Sequence, residues 1–288
     1  MSSRALALVV CAAVLHAIWN ALAKRSENQF VFLWSSVSLA TLLLLPIGLL
    51  RLPAEPTPAA GLPFVAASVG IHALYFWALG RAYRYGDFSR VYPMARGLGV
   101  ALVPLIALPV FGEQLSWLGS LGVGLVVLGI AGLSVNPSAM MRGSAAHGLG
   151  KGTAWAVLTG LTVASYSLVD KAGVARLHPM PYIALMGLGL SVVLAPVVLA
   201  DRPALFREWR LRWRTILIAS AMNLTSYLLV LFAFRLSKVG YVVASRELSI
   251  LFSAFIGSLW LGEGRLAPRL AGASVVLAGV ICVALARN

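Results

Sequence analysis

The chain has 288 residues, of which 60% are hydrophobic and 11% charged, and its mean hydropathy is +0.90. Soluble domains carry roughly 25% charged and under 50% apolar residues, so this composition excludes a water-soluble globular, disordered, collagen-like or coiled-coil protein. A membrane-spanning helix needs about 20 mostly apolar residues, which leaves room for about eight to ten spans. The composition therefore indicates an integral membrane protein with little mass outside the bilayer.

The formal net charge is +14, from 23 Lys and Arg against 9 Asp and Glu. In a soluble protein this balance would indicate nucleic-acid binding. Here the basic residues lie between apolar runs, where they set topology and meet anionic lipid. We therefore expect membrane lipid as a partner, and no nucleic acid. Cys11 and Cys282 lie in apolar runs without CxxC spacing or a nearby His pair, so neither a disulfide framework nor a zinc site is indicated.

A window of about 19 residues identifies ten apolar segments. They lie near residues 5–23, 29–50, 62–82, 89–111, 115–135, 152–172, 179–200, 214–235, 239–261 and 267–286. Backbone groups in lipid must be satisfied within the segment, and these runs are too long and too apolar for alternating barrel strands, so each is predicted to be a helix. The fold class is an all-α integral membrane protein with ten transmembrane helices.

Most connections between these segments are tight, and three are longer polar stretches, at residues 51–60, 136–150 and 201–214. The middle stretch is rich in Ser, Gly and Met, a composition typical of a flexible linker. The prediction is therefore two five-helix units, residues 1–135 and 151–288, joined by a linker at 136–150.

The two units are related by an offset of 150 residues. The offset pairs Pro46 with Pro196, Arg96 with Arg246, Leu98 with Leu248, Gly112-Glu113 with Gly262-Glu263, Gly122 with Gly272, and Gly129 with Gly279. It also pairs His16 with Tyr166 and Asn20 with Asp170. Because five spans is an odd number, the second unit must enter the membrane from the opposite face. Such an inverted repeat is an architecture of secondary transporters, whose substrate site lies near the midplane between the halves.

The first segment imitates a secretory signal, because Met1-Ser2-Ser3-Arg4 precedes an apolar run and Ala21-Leu22-Ala23. However, His16, Trp19 and Asn20 interrupt that run, and the segment has a counterpart in the second unit. We therefore expect it to be a span that is not cleaved.

Four segments of the sequence resemble those of a known family. They are His16-Ala-Ile-Trp-Asn20 with Lys24, Tyr92-Pro-Met-Ala-Arg96-Gly with Pro104 and Gly112-Glu113, Ser165-Tyr166-Ser-Leu-Val-Asp170-Lys171, and Ser245-Arg246-Glu247 with Gly262-Glu263. In these segments the sequence resembles the ten-helix EamA-type branch of the drug/metabolite transporter (DMT) superfamily, and is similar to bacterial exporters of amino acids, aromatic ones included. The resemblance implies two inverted five-helix bundles around a central cavity. It names the transport class better than the cargo, since toxic cations are also carried in this superfamily.

The sixth segment carries a stripe of polar and aromatic side chains. Trp155, Thr159, Thr162, Tyr166 and Asp170 follow one another at spacings of four, three, four and four residues. This spacing puts them along one side of a helix, which should face a cavity or another helix. The alternative is interhelical hydrogen bonding by the Thr and Tyr side chains, worth roughly 1 kcal/mol or less per contact.

Other spans carry similar pairs of polar and aromatic residues. These pairs are His16 and Asn20 with Trp19 on the flank, His72 and Tyr75 with Trp77 nearby, and Asn223 with Tyr227. Together with Trp155 and Tyr166 they predict a substrate cavity with aromatic walls and a few polar groups, which suits flat, partly apolar cargo. A neutral histidine that joins two helices, or an aromatic belt at the membrane surface, is the alternative for individual members.

Arg96, Arg246 and Glu247 are charged residues inside apolar spans. A central Arg costs from about 2.5 to over 10 kcal/mol, so each should face protein or water. Each Arg either pairs with a carboxylate, Glu247 or Asp170, and fixes helix packing, or meets a substrate carboxylate through its planar fork. We count both arginines among the cavity candidates.

The remaining acidic residues have two possible roles. Glu113 and Glu263 stand at the starts of the fifth and tenth helices, where a carboxylate accepts from unpaired backbone N–H groups, with gating or proton coupling as the alternative. Asp170, Glu247 and His16 are the candidates for proton coupling, because buried carboxylates and imidazoles can exchange protons.

No sequence motif indicates an enzyme. Gly148-Leu-Gly150-Lys151-Gly-Thr153 fails the spacing of a phosphate-binding loop, and HExxH, GxSxG and metal-binding carboxylate clusters are missing from the sequence. The sequence thus predicts a secondary transporter of a small-molecule substrate, working by alternating access without ATP, catalytic residues, metal or cofactor, in a bacterial-type inner membrane. The rival hypotheses are an intramembrane enzyme and a non-transporting membrane scaffold.

The orientation of the spans is left open by the charges. Fourteen Lys and Arg flank the odd-numbered connections and seven lie on the other face, which favours termini outside the cell. Five of the fourteen lie in residues 201–214, however, and the family resemblance favours cytoplasmic termini.

Overall fold

A computed structural model describes residues 1–54, 58–85, 88–132, 150–259 and 266–286. For residues 54, 83, 88–93, 254–259 and 266–271 it describes the backbone alone. All the secondary structure in these ranges is helical. The helices are α1 Ser3–Lys24, α2 Gln29–Arg51, α3 Pro58–Tyr85, α4 Phe88–Phe111, α5 Trp117–Gly132, α6 Lys151–Val174, α7 Pro179–Leu199, α8 Arg202–Leu236, α9 Val239–Arg246, α10 Leu248–Leu259 and α11 Leu266–Leu285, with a 3₁₀ turn at Leu52–Ala54.

A helix covers each of the ten predicted segments, and the ninth is covered by α9 and α10 together. Seven of the described helices contain a stretch long and apolar enough to cross a membrane. These stretches are Ser3–Lys24, Gln29–Arg51, Pro58–Ala82, Met94–Phe111, Lys151–Val174, Pro179–Leu199 and Arg202–Leu236, and Trp117–Gly132 and Gly272–Leu285 are shorter apolar helices. The chain is a multi-pass membrane protein.

The polar stretch at residues 201–214 is helical, contrary to its interpretation as a connection. Asp201 caps α8, which is continuous except at a kink where Arg212 has φ −132° and ψ 18°. Five of the fourteen residues in this stretch are Arg, which is a strong helix former, and a hydropathy window does not measure helix propensity.

Contacts with the first unit hold this polar turn of α8 in place. One carboxylate oxygen of Glu208 accepts a hydrogen bond from the backbone N–H of Asn28 at 3.2 Å, and the indole of Trp209 donates to Ser35 Oγ at 2.9 Å. The start of α8 therefore packs against the turn between α1 and α2.

The predicted linker lies outside the described residues except for Gly150, as does the predicted Gly262-Glu263 pair. The domain boundary at 136–150 therefore stays a prediction.

The strongest helix contacts join the two units. Helix α3 packs against α6, and α1 packs against α8. Helix α4 also packs against α6, and α1 also packs against α9 and α10. Finally, α2 packs against α7, and α5 packs against α11. The 150-residue offset turns the α3–α6 pair into the α8–α1 pair, and the α4–α6 pair into the pairs of α1 with α9 and α10. It leaves the α2–α7 and α5–α11 pairs unchanged, because their two members correspond to each other.

Four glycines show this exchange at residue level where α5 crosses α11. A Cβ atom on Gly122 would lie 2.6 Å from the carbonyl oxygen of Gly279, and one on Gly129 would lie 2.9 Å from that of Gly272. Gly122 corresponds to Gly272 and Gly129 to Gly279, so the two contacts exchange under the offset. As the α5 numbers rise the α11 numbers fall, which means that the helices pack antiparallel with their backbones in contact.

We predict that Gly122→Ala destabilises the protein, because the added methyl group meets backbone atoms that cannot move aside. Overpacking of this kind lowers the unfolding temperature by about 5 °C or more. Gly124→Ala is the matched control on the same helix, since a Cβ there meets nothing within 4 Å. Thermal unfolding of the purified variants in detergent measures both, and equal unfolding temperatures would contradict the close packing of α5 on α11.

Candidate functional site

Asp170 on α6 is a fully buried carboxylate that binds hydroxyl groups from three other helices. Its Oδ1 accepts from Ser68 Oγ of α3 at 2.6 Å and from the hydroxyl of Tyr182 of α7 at 2.7 Å, and its Oδ2 accepts from the hydroxyl of Tyr227 of α8. A buried carboxylate needs such donors to offset the loss of water. Asp170 thus holds together helices from both units.

Aromatic rings from three helices pack beside Asp170 and form what we call the aromatic cluster: His72, Tyr75, Tyr166 and Tyr227. The ring of His72 stacks on that of Tyr166, with centroids 4.4 Å apart and planes at 27°. Tyr75 meets the edge of Tyr166 at 5.9 Å, and Tyr227 meets His72 at 6.0 Å. The contact of His72 Nδ1 with the carbonyl oxygen of Ser68 at 2.9 Å assigns the proton to Nδ1 and leaves Nε2 as an acceptor.

Arg96 and Glu247 form an ion pair between α4 and the junction of α9 with α10. Arg96 Nε and Nη2 donate to the two carboxylate oxygens of Glu247 at 3.2 Å and 2.5 Å. The two side chains are only 12% and 3% exposed. This bidentate geometry fits the structural role considered for an intramembrane arginine.

Arg246 is in a different situation, although it is the repeat partner of Arg96. It is half-buried, its guanidinium lies 5.7 Å from the ring centroid of Tyr227, and it forms no ion pair or hydrogen bond with any residue in the described part of the chain. A guanidinium thus adjoins the aromatic cluster without a carboxylate partner.

The predicted residues of α1 extend away from this cluster. His16 is half-buried and meets the edge of Trp19 at 5.0 Å. Asn20 is exposed and donates to the carbonyl oxygen of His16 at 2.7 Å. Trp19 packs beside Phe32 of α2 and Ile216 of α8.

The stripe on α6 divides into two parts. Thr159 and Thr162 are buried and donate to carbonyl oxygens of their own helix, those of Trp155 and Thr159. Neither hydroxyl therefore donates the interhelical hydrogen bond that was the alternative interpretation of the stripe. Trp155 packs edge-on against Trp77 at 4.7 Å, near the start of α6. Of the five residues in the stripe, Tyr166 belongs to the aromatic cluster and Asp170 is the carboxylate beside it. On α8, Asn223 is half-buried one turn before Tyr227.

Glu113 caps a different helix from the one expected. Its Oε2 accepts from the backbone N–H of Val239 at 2.7 Å, which is the start of α9 and not of α5, and its Oε1 lies 3.3 Å from Lys171 Nζ. The physical reason is Gly112, whose positive φ of 66° turns the chain after α4. The sequence identified the acceptor correctly but not the helix that it caps.

Three residues of the site were missed by the sequence analysis. Ser68 and Tyr182 donate to Asp170, and Lys171 donates to the carbonyl oxygens of Phe234 and Ser237 at the end of α8. Ser68 and Tyr182 have no polar partner under the 150-residue offset, so the repeat carried no signal for them.

We predict that Tyr182→Phe lowers the free energy of unfolding by about 1–3 kcal/mol, because a buried carboxylate loses a donor. In an Asp170→Asn background the same substitution should cost clearly less, since no buried charge then depends on the hydroxyl. A double-mutant cycle on the purified protein, unfolded with SDS in mixed micelles, measures the coupling. Equal costs in both backgrounds would show that the stability contributed by the Tyr182 hydroxyl does not depend on the charge of Asp170.

The geometry described so far defines the class of protein. Membrane-spanning helices that surround a buried carboxylate, aromatic rings and an arginine without an ion-pair partner are typical of membrane transporters of small molecules. Comparison with known families is specific: residues 150–285 match the EamA-like transporter family, and this half of the chain is an EamA-like transporter domain. The match is consistent with the DMT superfamily and confirms the EamA-type resemblance for this half of the chain. Members of the EamA family are transporters, not enzymes.

Solved structures give a further comparison, of the fold alone. One, described only as "Crystal structure of protein", has 16% sequence identity to this chain and a TM-score of 0.70, with 100% of each chain covered. A search of curated proteins gives no match. The solved structure resembles the fold of this chain over its whole length.

Proposed function

We propose that this protein is a secondary transporter that exports small metabolites, foremost amino acids with aromatic or amphipathic side chains, from a bacterial-type cell across its inner membrane. One observation carries the proposal: Asp170 and the aromatic cluster lie where α3 of the first unit meets α6, α7 and α8 of the second. A site shared by two units is the place where a substrate can be exposed to each face in turn.

The proposed architecture is two inverted five-helix repeats with ten spans. The contacts between units support it, because they exchange under the 150-residue offset. Where α5 crosses α11, contacts of Gly122 with Gly279 and Gly129 with Gly272 have the reciprocity of a two-fold interface. An axis that relates two antiparallel helices in this way runs perpendicular to them, and hence parallel to the membrane plane, which inverts one unit relative to the other.

The proposed cargo side of the site is the aromatic cluster with Arg246. Stacked and edge-on rings provide faces for a flat apolar group, and His72 Nε2 and Arg246 provide an acceptor and a charged donor. Of the other candidates, Asn223 lies one turn before Tyr227 on α8, and His16 is the repeat partner of Tyr166. Trp19 and Asn20 lie further toward the end of α1, and Trp155 lies near the start of α6. We propose these three as lining an access path.

Alternating access requires a contact that breaks when one face opens. A polar latch, formed by Glu113 with Lys171 and by Lys238 with the carbonyl oxygen of Gln114, joins the loop after α4 to the ends of α6 and α8 and the start of α9. The latch closes one face between the two units. Opening of that face must separate Gln114 from Lys238.

We predict that a short crosslink between cysteines placed at Gln114 and Lys238 abolishes transport, because it holds that face closed. The background needs Cys11 and Cys282 replaced by Ser. Uptake of labelled phenylalanine into proteoliposomes is measured before crosslinking, after it, and after reductive cleavage of the linker, which should restore uptake. A crosslinked protein that transports at the uncrosslinked rate would contradict the proposed opening. Each single-cysteine variant treated in the same way is the control.

For proton coupling we propose Asp170 over Glu247 and His16. Glu247 is engaged by the fixed charge of Arg96, whereas the partners of Asp170 are neutral hydroxyls that can reverse their donor and acceptor roles when the carboxylate gains a proton. Ser68 Oγ also lies 3.2 Å from His72 Nδ1, so a hydroxyl bridges the carboxylate and the imidazole.

We predict that Asp170→Asn removes the response of transport to a pH gradient and leaves counterflow exchange of phenylalanine in place, since exchange needs no net proton movement. Gradient-driven accumulation should fall at least about tenfold, as expected for loss of a group in the coupled step. Asp201→Asn, at the exposed cap of α8, is the control for a lost carboxylate. Wild-type transport that ignores an imposed pH gradient would refute coupling and leave a facilitator.

A further inference from the structure

The repeat is broken at the charged residues of the interior. Arg96 corresponds to Arg246, but Glu247 corresponds to Gly97. In the structure Arg96 reaches across to Glu247 of the other unit. The same contact seen from the second unit would join Arg246 to residue 97, which has no side chain. The repeat therefore supplies two arginines and a single carboxylate for them.

Arg246 has no other carboxylate within the described residues to replace the missing one. The oxygens of Asp170 are occupied by the hydroxyls of Ser68, Tyr182 and Tyr227, and no ion pair joins Asp170 to Arg246. The ring of Tyr227 lies under the guanidinium and compensates its charge only in part. A cation in the interior of a membrane protein faces water, a partner or a ligand.

A second polar group beside Arg246 is also without a partner. The hydroxyl of Ser245 is fully buried and makes no hydrogen bond in the described part of the chain. It stands next to Arg246 at the end of α9, where the helix is interrupted before α10. Buried hydroxyls are nearly always satisfied, so the hydroxyl of Ser245 is a second unmet hydrogen-bonding group at this end of α9.

We propose that Arg246 binds a carboxylate of the transported substrate, and that Gly97 is the specificity-determining position that keeps Arg246 available. The inference rests on the proposed transport function and narrows its substrate class to compounds that carry a carboxylate on or near a flat ring. The planar guanidinium matches a carboxylate with two parallel hydrogen bonds. The adjoining aromatic cluster receives the ring, and cationic substrates are disfavoured by the charge of Arg246.

Position 97 permits a direct reversal of this arrangement. Among the described residues, a Cβ atom built on Gly97 would meet Ile130 Cγ2 alone, at 3.8 Å, which is an ordinary contact. Gly97→Glu would supply the carboxylate that the repeat lacks and would occupy Arg246 as Glu247 occupies Arg96. Gly97→Gln has the same size without the charge and is the matched control.

The test measures binding of phenylacetate, phenylalanine and phenylethylamine to the purified full-length protein by isothermal titration calorimetry. Phenylacetate should bind at least about tenfold more tightly than phenylethylamine. Gly97→Glu and Arg246→Gln should each weaken phenylacetate binding at least about tenfold, Arg246→Lys less, and Gly97→Gln less than about threefold. Size-exclusion profiles check that each variant is folded. If Gly97→Glu does not fold, the binding of phenylacetate to Arg246→Gln tests the proposal instead.

Two results would overturn the inference and leave the transporter in place. They are binding of phenylethylamine as tight as that of phenylacetate, and equal effects of Gly97→Glu and Gly97→Gln. Failure of all three compounds to bind, with no uptake of any of them into proteoliposomes, would overturn both the inference and the proposed substrate class.

Discussion

The dominant constraint on this chain is that a charge inside a bilayer must be hydrogen-bonded, paired or in contact with water or a ligand. The interior uses three arrangements to meet it. Asp170 accepts hydrogen bonds from neutral hydroxyls on three helices, and Arg96 forms a bidentate pair with Glu247. Among the described residues, Arg246 contacts the face of Tyr227 and forms no ion pair. The first two arrangements tie the units together, and in our proposal the third leaves a charge available for cargo.

The same constraint explains why the helix packing obeys the repeat symmetry, whereas the charged residues of the interior do not. Where α5 crosses α11, glycines exchange their contacts under the 150-residue offset and bring two backbones together, which is a matter of packing alone. Among the charged residues the offset fails, since glycine stands at 97 and glutamate at 247. A transporter needs two similar units for its two states, but it needs only one binding group for the cargo. In our proposal, the break in the repeat supplies that group.

Much of the architecture could be predicted from the sequence, because the hydropathy of a span is a local property. All ten segments are helical, and an EamA-like domain covers residues 150–285. The helix at residues 201–214 was missed because hydropathy does not measure helix propensity. The site was predicted only in part: Tyr166 and Asp170 do meet His72 and Tyr227, whereas Ser68, Tyr182 and the helix capped by Glu113 depend on contacts distant in sequence.

The central claim is that the contact between the two units around Tyr166, which is buried in this structure, opens in turn to each face. The most direct measurement is the labelling of a Tyr166→Cys variant, with Cys11 and Cys282 replaced by Ser, by a membrane-impermeant maleimide added to one side of the membrane at a time. The account predicts labelling from both sides, slowed by phenylalanine at concentrations that support transport. Labelling from neither side, in a variant that still transports, would contradict it.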